Sequence, residues 1–265
     1  IKVLPFSSAP GYKLGDGKWG FNTPQGVTPS QPNMMYKVGE VDFDIIHTQH
    51  TPVTNQMCQM YPNVDKISTI HSEVIELENP VLNETIKKYI CIRPEIQKHI
   101  IDNFEIPKDK TEIIYNPIDS KKFNIKNTKD DGYVLFVGTI DYLREDSIRD
   151  LVDYSKSINK ELWLVGENKS NYLNDLLSHQ HVKYHNATNK VDTFVKNCSE
   201  TAGILLGRTT IEGWMCGKPG WIYNVNESGE ILNKEKVDIP SDINRFNSEE
   251  VAKKIKEEYI KIINE

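Results

Sequence analysis

Apolar runs the length of a single strand recur along the chain, each followed by a polar or glycine-bearing turn and then by apolar residues at helical spacing. The clearest run is 133–137, unbroken by polar residues as a central parallel strand would be, with Gly138 directly after it. Behind it, 147–159 places Ile148, Leu151, Val152 and Ile158 along one helical face. The same unit repeats downstream. A strand over 161–165 turns at Gly166, and a short helix over 172–177 precedes a strand over 181–185. A helix over 191–197 leads to the strand 202–206, which turns at Gly207 into a helix that ends at Gly217, with Pro219 beyond it and a strand over 221–223.

The first half reads the same way with weaker signals. Strands are expected over 1–6, 41–47, 66–70, 89–92 and 111–115, and a helix over 83–88. A further helix over 95–104 carries Ile96, Ile100, Ile101 and Phe104 on one face and is stopped by Pro107. Residues 23–33, with three prolines, have no period and read as extended or turn-rich. The polar stretch 120–132 is a linker and divides the chain into domains 1–128 and 129–265. A last helix over 248–263 has Val251, Ile255, Tyr259, Ile260 and Ile263 as its apolar stripe. Strand, glycine turn and helix in alternation predict an α/β fold of two doubly wound, Rossmann-like domains.

Composition narrows the class. With 265 residues, 38% hydrophobic and 26% charged, the chain is globular rather than disordered. No apolar run approaches the ~18–20 residues that a spanning helix needs. A net charge of −6 argues against a protein that grips long nucleic acid by its phosphates. The four cysteines (Cys58, Cys91, Cys198, Cys216) lack the spacing of a zinc knuckle or redox pair, and scattered thiols fit the cytoplasm.

Candidate chemistry gathers at the turns. At Gly207 the chain enters a helix that Thr209 or Thr210 is expected to cap, so its free N–H groups and positive dipole end make an anion site. Glu212 follows, placed to accept hydrogen bonds from sugar hydroxyls or to lie on the surface of an ordinary β-α-β unit. Arg144 is a cation at a helix start, where the dipole disfavours it unless it serves a ligand. His47 and His50 end one strand as polar pocket liners without a third metal ligand, and His71 directly follows another at the carboxyl edge of the sheet. The glycine-dense loop with Gly15 and Gly17 either borders a site or is a surface turn. The Asp42-Phe43-Asp44 triplet precedes its strand and reads as a solvated entrance rather than a metal site.

The stretch 204–220 resembles the donor-nucleotide segment of the retaining GT-B glycosyltransferases of the glycosyltransferase 4 type, whose pattern is E-G-F-G-x-x-x-x-E-A-x-A-x-G-x-P. The resemblance extends over most of 41–231, through D-I-I-H-T-Q-H, T-I-H and I-I-Y-N-P-I-D. It implies a GT-B-like fold with a cleft between the domains and a reduced N-terminal domain. It implies sugar transfer, with retention, from a nucleoside-diphosphate donor such as a UDP-sugar, to a saccharide, lipid or nucleic-acid acceptor. Glu212 falls on the ribose-binding glutamate, and Gly207, Arg208 and Thr209 on the pyrophosphate turn, with Thr210 beside them. Arg144 falls on the lysine of F-V-G-R-L-x-x-x-K-G, while Gly138 and Thr139 fall on its glycine and arginine. His71 falls on the active-centre histidine, Gly166 on a donor-side turn, and 186–188 near the nucleobase. The first glutamate of the motif is Ile204 here. No cofactor or metal is implied, because protein cations neutralise the diphosphate. Two other readings stay open: a nucleotide-sugar binder without transfer, and a GT-B nucleotide-sugar epimerase.

Overall fold

A computed structural model describes residues 12–13, 19–20, 43–72, 78–226 and 228–264. The expected strand over 1–6, the stretch 23–33 and the glycines Gly15 and Gly17 lie outside the described residues. The chain divides into two compact units, Ile1–Ile114 with Glu257–Glu265, and Tyr115–Lys256.

In the first unit Tyr12–Lys13 (β1) and Trp19–Gly20 (β2) pair antiparallel. Ile46–Gln49 (β3), Lys66–Ile70 (β4), Ile86–Cys91 (β5) and Thr111–Ile113 (β6) form a parallel sheet in that order. Thr51–Met60 (α1) and Pro94–Phe104 (α2) pack on it. Pro94 presets the first turn of α2, Ile96 and Ile100 bury its inner face, and Glu105 at φ 54 ends it in a left-handed cap. The helix α1 is absent from the periodicity because Thr54 takes one of its inward positions beside Met57 and Cys58. The helix expected over 83–88 does not form. Asn83 accepts hydrogen bonds from the Thr85 N–H (3.0 Å) and hydroxyl (2.7 Å), and this turn delivers Ile86 into β5. Lys66 is fully buried within β4, its ammonium donating to the carbonyls of Tyr61 and Val64 and to the Thr85 hydroxyl.

The second unit is a six-stranded sheet in the order β12-β11-β10-β7-β8-β9. Its strands are Tyr133–Val137 (β7), Glu161–Val165 (β8), Val182–His185 (β9), Glu200–Ile204 (β10), Gly220–Val225 (β11) and Ile231–Val237 (β12). All neighbours are parallel except β12, an exposed edge strand whose Lys and Glu side chains guard the edge and mask it in the sequence. The helices are Glu145–Ser157 (α3), Leu173–Leu176 (α4), Val191–Asn197 (α5) and Arg208–Met215 (α6). The central strand feeds both faces. Val134 and Phe136 enter one core with Ile148, Leu151 and Leu164, while Tyr133 and Leu135 enter the other with Ile211 and Trp214. Ile118 and Phe123 belong to that second core, so residues 115–128, assigned to the first half on sequence, pack with the second. Ser248–Ile263 (α7) begins in the second unit and ends in the first.

Candidate functional site

The strand order of the second unit reverses between β7 and β10, and the crevice outside the carboxyl ends of two such strands is where open α/β sheets bind ligands. A pocket of about 360 Å³ lies there, lined by Val137 at the end of β7 and by Arg208, Thr209 and Glu212 of α6. Asn189, Val191 and Asp192 at the start of α5 close one side, and Asp119, Lys122 and Phe123 another.

The helix α6 is capped by Gly207, not by either threonine: no side chain caps it, and Thr209 and Thr210 stand inside the first turn. By position the N–H groups of Arg208, Thr209 and Thr210 have no intrahelical acceptor. Thr210 is fully buried and packs beneath the pocket, where a Cβ at Gly220 would stand 3.1 Å from its methyl group. Thr209 lines the pocket and its hydroxyl donates to the Val137 carbonyl at 3.4 Å. Glu212 is 5% exposed, and its carboxylate accepts from Nε of Arg208 at 2.7 Å. Burial raises the Glu212 carboxyl above its ordinary range and the Arg208 guanidinium opposes the rise. Three carboxylates and two cations line the pocket, so its capacity for an anion rests on the helix N-terminus and on Arg208 turning away from Glu212.

Gly138, Thr139, Gly166 and Arg144 lie together at the neighbouring strand ends, beside the pocket lining rather than in it. A Cβ on Gly166 would stand 1.8 Å from the Gly138 carbonyl oxygen, so the two turns touch backbone to backbone. Arg144 passes its Nε within 3.9 Å of the Cβ position of Gly138 and pairs with Asp141 at 2.5 Å.

In the first unit the polar residues gather at the carboxyl ends of β3 and β4. Both ring nitrogens of His47 are occupied, by the Tyr259 hydroxyl (2.6 Å) and the Thr69 hydroxyl (2.7 Å), so it is tied into the fold instead of lining a pocket. His50 and His71 stack with ring centroids 4.5 Å apart. Nε2 of His71 is buried without a hydrogen-bond partner. Burial first, then a neighbouring histidine, lowers both His47 and His71 to about 4. Buried Glu78 accepts from the backbone N–H of His71 (2.6 Å) and of Ser72 (3.1 Å) and faces Nδ1 of His50 at 3.4 Å. Among the described residues no group of three or more His, Cys, Asp or Glu side chains is placed to hold a metal ion. No described helix is long and apolar enough to cross a membrane.

Sequence reasoning missed Asp119, Lys122, Phe123, Asn189, Asp192 and Glu78. Asp119 ends the Asn-Pro-Ile-Asp turn and Asn189 abuts the loop 186–188, so the motifs marked two of these neighbourhoods. Nothing local distinguishes Glu78 from the other acidic residues around it.

No protein-family model matches the chain, and no curated protein matches it in sequence. Solved structures do match in fold. A glycosyltransferase from Rickettsia africae ESF-5 is 15% identical with a TM-score of 0.60, over 83% of this chain and 77% of that one. AviGT4, a glycosyltransferase involved in avilamycin A biosynthesis, is 13% identical with a TM-score of 0.58, over 85% and 75%. The pneumococcal O-GlcNAc transferase GtfA, solved in complex with UDP and GlcNAc, is 9% identical with a TM-score of 0.59, over 83% and 57%. The fold is that of the GT-B glycosyltransferases. At these identities the likeness is one of fold, and the GT-B unit that carries the pocket is the one with the strand reversal.

Proposed function

We propose that the chain is a glycosyltransferase that takes a sugar from a nucleoside-diphosphate donor, a UDP-sugar, with retention of anomeric configuration. The observation that carries this reading is the pocket at the β7–β10 reversal, where a helix N-terminus without a side-chain cap, an exposed arginine and a buried glutamate meet. The nucleoside occupies the pocket, and its ribose hydroxyls replace Arg208 as donors to Glu212. Arg208, 68% exposed as a side chain, then turns to the diphosphate, which lies on the N–H groups of the first turn of α6. As the bond to the sugar breaks, charge builds on the diphosphate oxygens, and these groups with Arg144 stabilise it without a metal. The solved complexes of GtfA with UDP and GlcNAc, and of Anabaena HepE with UDP-glucose, support a uridine donor.

Calorimetric titration with UDP, and transfer from a panel of UDP-sugars in EDTA, test the proposal. The Arg144→Ala variant is expected to lose transfer by about a hundredfold or more, the scale of one transition-state contact. Wild-type turnover from that variant would remove Arg144 from the mechanism. A second reading, binding without transfer, is favoured by Ile204 in place of the motif's first glutamate and by the engagement of Arg144 with Asp141. UDP binding with no turnover of any donor selects it.

A further inference from the structure

We propose that the tip of the β11–β12 hairpin is a positioning element for Arg144, and that Gly229 is the residue through which it acts; the proposal rests on the glycosyl-transfer reading, in which Arg144 meets the diphosphate. Three features of the second unit support it.

The first is a backbone contact. Gly229 has φ 89, in the region that glycine enters freely and other residues rarely do. A Cβ there would stand 2.8 Å from the Leu143 carbonyl oxygen, 2.9 Å from its Cα and 3.0 Å from its carbonyl carbon. Those atoms lead directly into the peptide bond of Arg144. The hairpin tip thus bears on the main chain of the Arg144 loop, where no side-chain rotation loosens it. Gly229 is buried, while Ser228 and Glu230 on either side of it are exposed. What the tip brings to Leu143 is backbone at contact distance, not apolar area.

The second is the construction of the tip. The N–H of Asn226 donates to the Glu230 carbonyl and that of Gly229 to the Asn226 carbonyl, both at 3.0 Å. The side-chain oxygen of Asn226 accepts from the N–H groups of Ser228 (3.0 Å) and Glu230 (2.9 Å) and from the Ser228 hydroxyl (2.9 Å). Its amide donates to the Glu230 carboxylate at 2.6 Å. The register of β11 against β12 shifts between Asn224 and Val225, an irregularity that turns a strand end as a bulge does. Val225 and Ile231, flanking the tip, pack on the core that holds Phe136, Ile140 and Ile148. The hairpin tip and the Arg144 loop are therefore anchored in one core. Reversal of the chain alone needs none of this, since a two-residue turn suffices.

The third is what else holds Arg144. On the β8 side the N–H of Ile140 donates to the Glu167 carbonyl (2.9 Å), and the Tyr172 hydroxyl to the Asp141 carbonyl (2.8 Å). Asp141 in turn pairs with the guanidinium. These bonds fix the loop at 140–141. Leu143 lies beyond them, in the single 3-10 turn Tyr142–Arg144 that leads into α3. Gly229 supplies the missing side, so Arg144 is set between the β8 turn and the hairpin. Its Nε comes within 3.9 Å of the Cβ position of Gly138, just past the β7 end that lines the pocket. Misplacing such a group by about 1 Å can cost on the order of a hundredfold in rate.

The test compares Gly229→Ala, Asn226→Ala and Arg144→Ala, and each hairpin variant combined with Arg144→Ala, all in the full chain. UDP release from UDP-glucose and from UDP-N-acetylglucosamine gives kcat and KM, and amide hydrogen exchange reports on 142–145. Gly229→Ala is expected to lose about tenfold or more in kcat at unchanged donor KM. Asn226→Ala, which adds no Cβ to the contact, is expected to lose less, and it carries the same comparison if Gly229→Ala fails to fold. In both variants exchange is expected to quicken over 142–145 and to stay unchanged over Glu161–Val165. In the Arg144→Ala background neither hairpin substitution is expected to slow release further, because the residue they act through is gone. Losses that add in full to that of Arg144→Ala, or wild-type kcat from both hairpin variants, overturn the positioning assignment and leave the transfer reading standing. A wild-type chain that releases UDP from neither donor overturns the transfer reading, and full release by Arg144→Ala removes Arg144 from it; the positioning assignment falls with either.

Discussion

Two strand-to-helix turns, one in each unit, answer the same geometric problem differently. Leaving β3, the chain reverses through His50 at φ 66; leaving β10, it reverses through Leu205 at φ 56. Neither residue is glycine, so both turns hold a side chain in the left-handed region. In the first unit the strained residue presents a polar ring beside a buried carboxylate. In the second, the strained residue is apolar and half-buried, and the turn ends on Gly207 with an uncapped helix beyond. One edge is arranged to present a side chain and the other to present backbone N–H groups. Substitutions should therefore be felt differently: the second unit should resent any added Cβ, and the first should resent any added charge.

The largest effect is expected at Gly166. A Cβ there would stand 1.8 Å from the Gly138 carbonyl oxygen and 2.7 Å from its carbon, both backbone atoms that no side-chain rotation can relieve. Gly166→Ala is expected to destabilise the second unit by on the order of 4 kcal/mol or more, in the range reserved for backbone and core disruption. Urea unfolding followed by tryptophan fluorescence, to which Trp163, Trp214 and Trp221 of that unit contribute, measures it. A midpoint unchanged from wild type would mean that the two strand ends do not touch, and would erase the contrast between the edges. His50→Gly should show no such loss, since glycine suits the turn it enters.

How far the sequence disclosed all this depends on what each element is made of. The second unit announced itself: 133–137, 161–165 and the 207–217 turn-helix carry unmixed apolar runs and glycine punctuation, and all became elements close to their expected bounds. The first unit hid more. The helix α1 buries Thr54, so its inner face has no apolar period, and β5 begins in a stretch rich in lysine and threonine whose turn is set by the Asn83 side chain. Arg208, Thr209 and Glu212 were legible because they lie within a few residues of one another on one helix. Asp119 and Asn189 were not, because tertiary packing brings each of them to the pocket from a distant stretch, and Glu78, though close in sequence to the His71 and Ser72 backbone that it accepts from, stands among other acidic residues with nothing local to single it out.

Acid separates the units next. His47 and His71 are held down to about 4 from an ordinary 6.5, chiefly by burial, so the folded first unit binds fewer protons than the unfolded chain between those values. Its stability is therefore complete above pH 6.5 and falls as pH drops towards 4. Glu212 has the opposite sign: burial raises its carboxyl, so the penalty on its charged form fades as pH falls through the folded value. Amide hydrogen exchange at pH 7 and pH 4.5, corrected for the intrinsic rate, should show protection lost first in β3 and β4. Equal protection of both sheets at the two pH values would mean that the histidines titrate freely and that the first edge is wetter than its hydrogen bonds imply.

The smallest effect concerns Leu205, and it needs two variants because two terms oppose. Leu205→Ala removes the half-buried side chain and keeps the left-handed strain, while Leu205→Gly removes both. Their difference cancels most of the lost apolar contact and isolates the backbone. A left-handed residue with a Cβ costs about 1–2 kcal/mol, and the added freedom of glycine in the unfolded chain offsets part of that. Leu205→Gly should therefore be the more stable of the two by about 1 kcal/mol, read as a shift in the urea midpoint at constant slope. If the alanine variant is equal or better, the turn has relaxed out of the left-handed region on truncation. In that case it is the packing of the Leu205 side chain, and not the path of the backbone into Gly207, that fixes where the first N–H groups of α6 point.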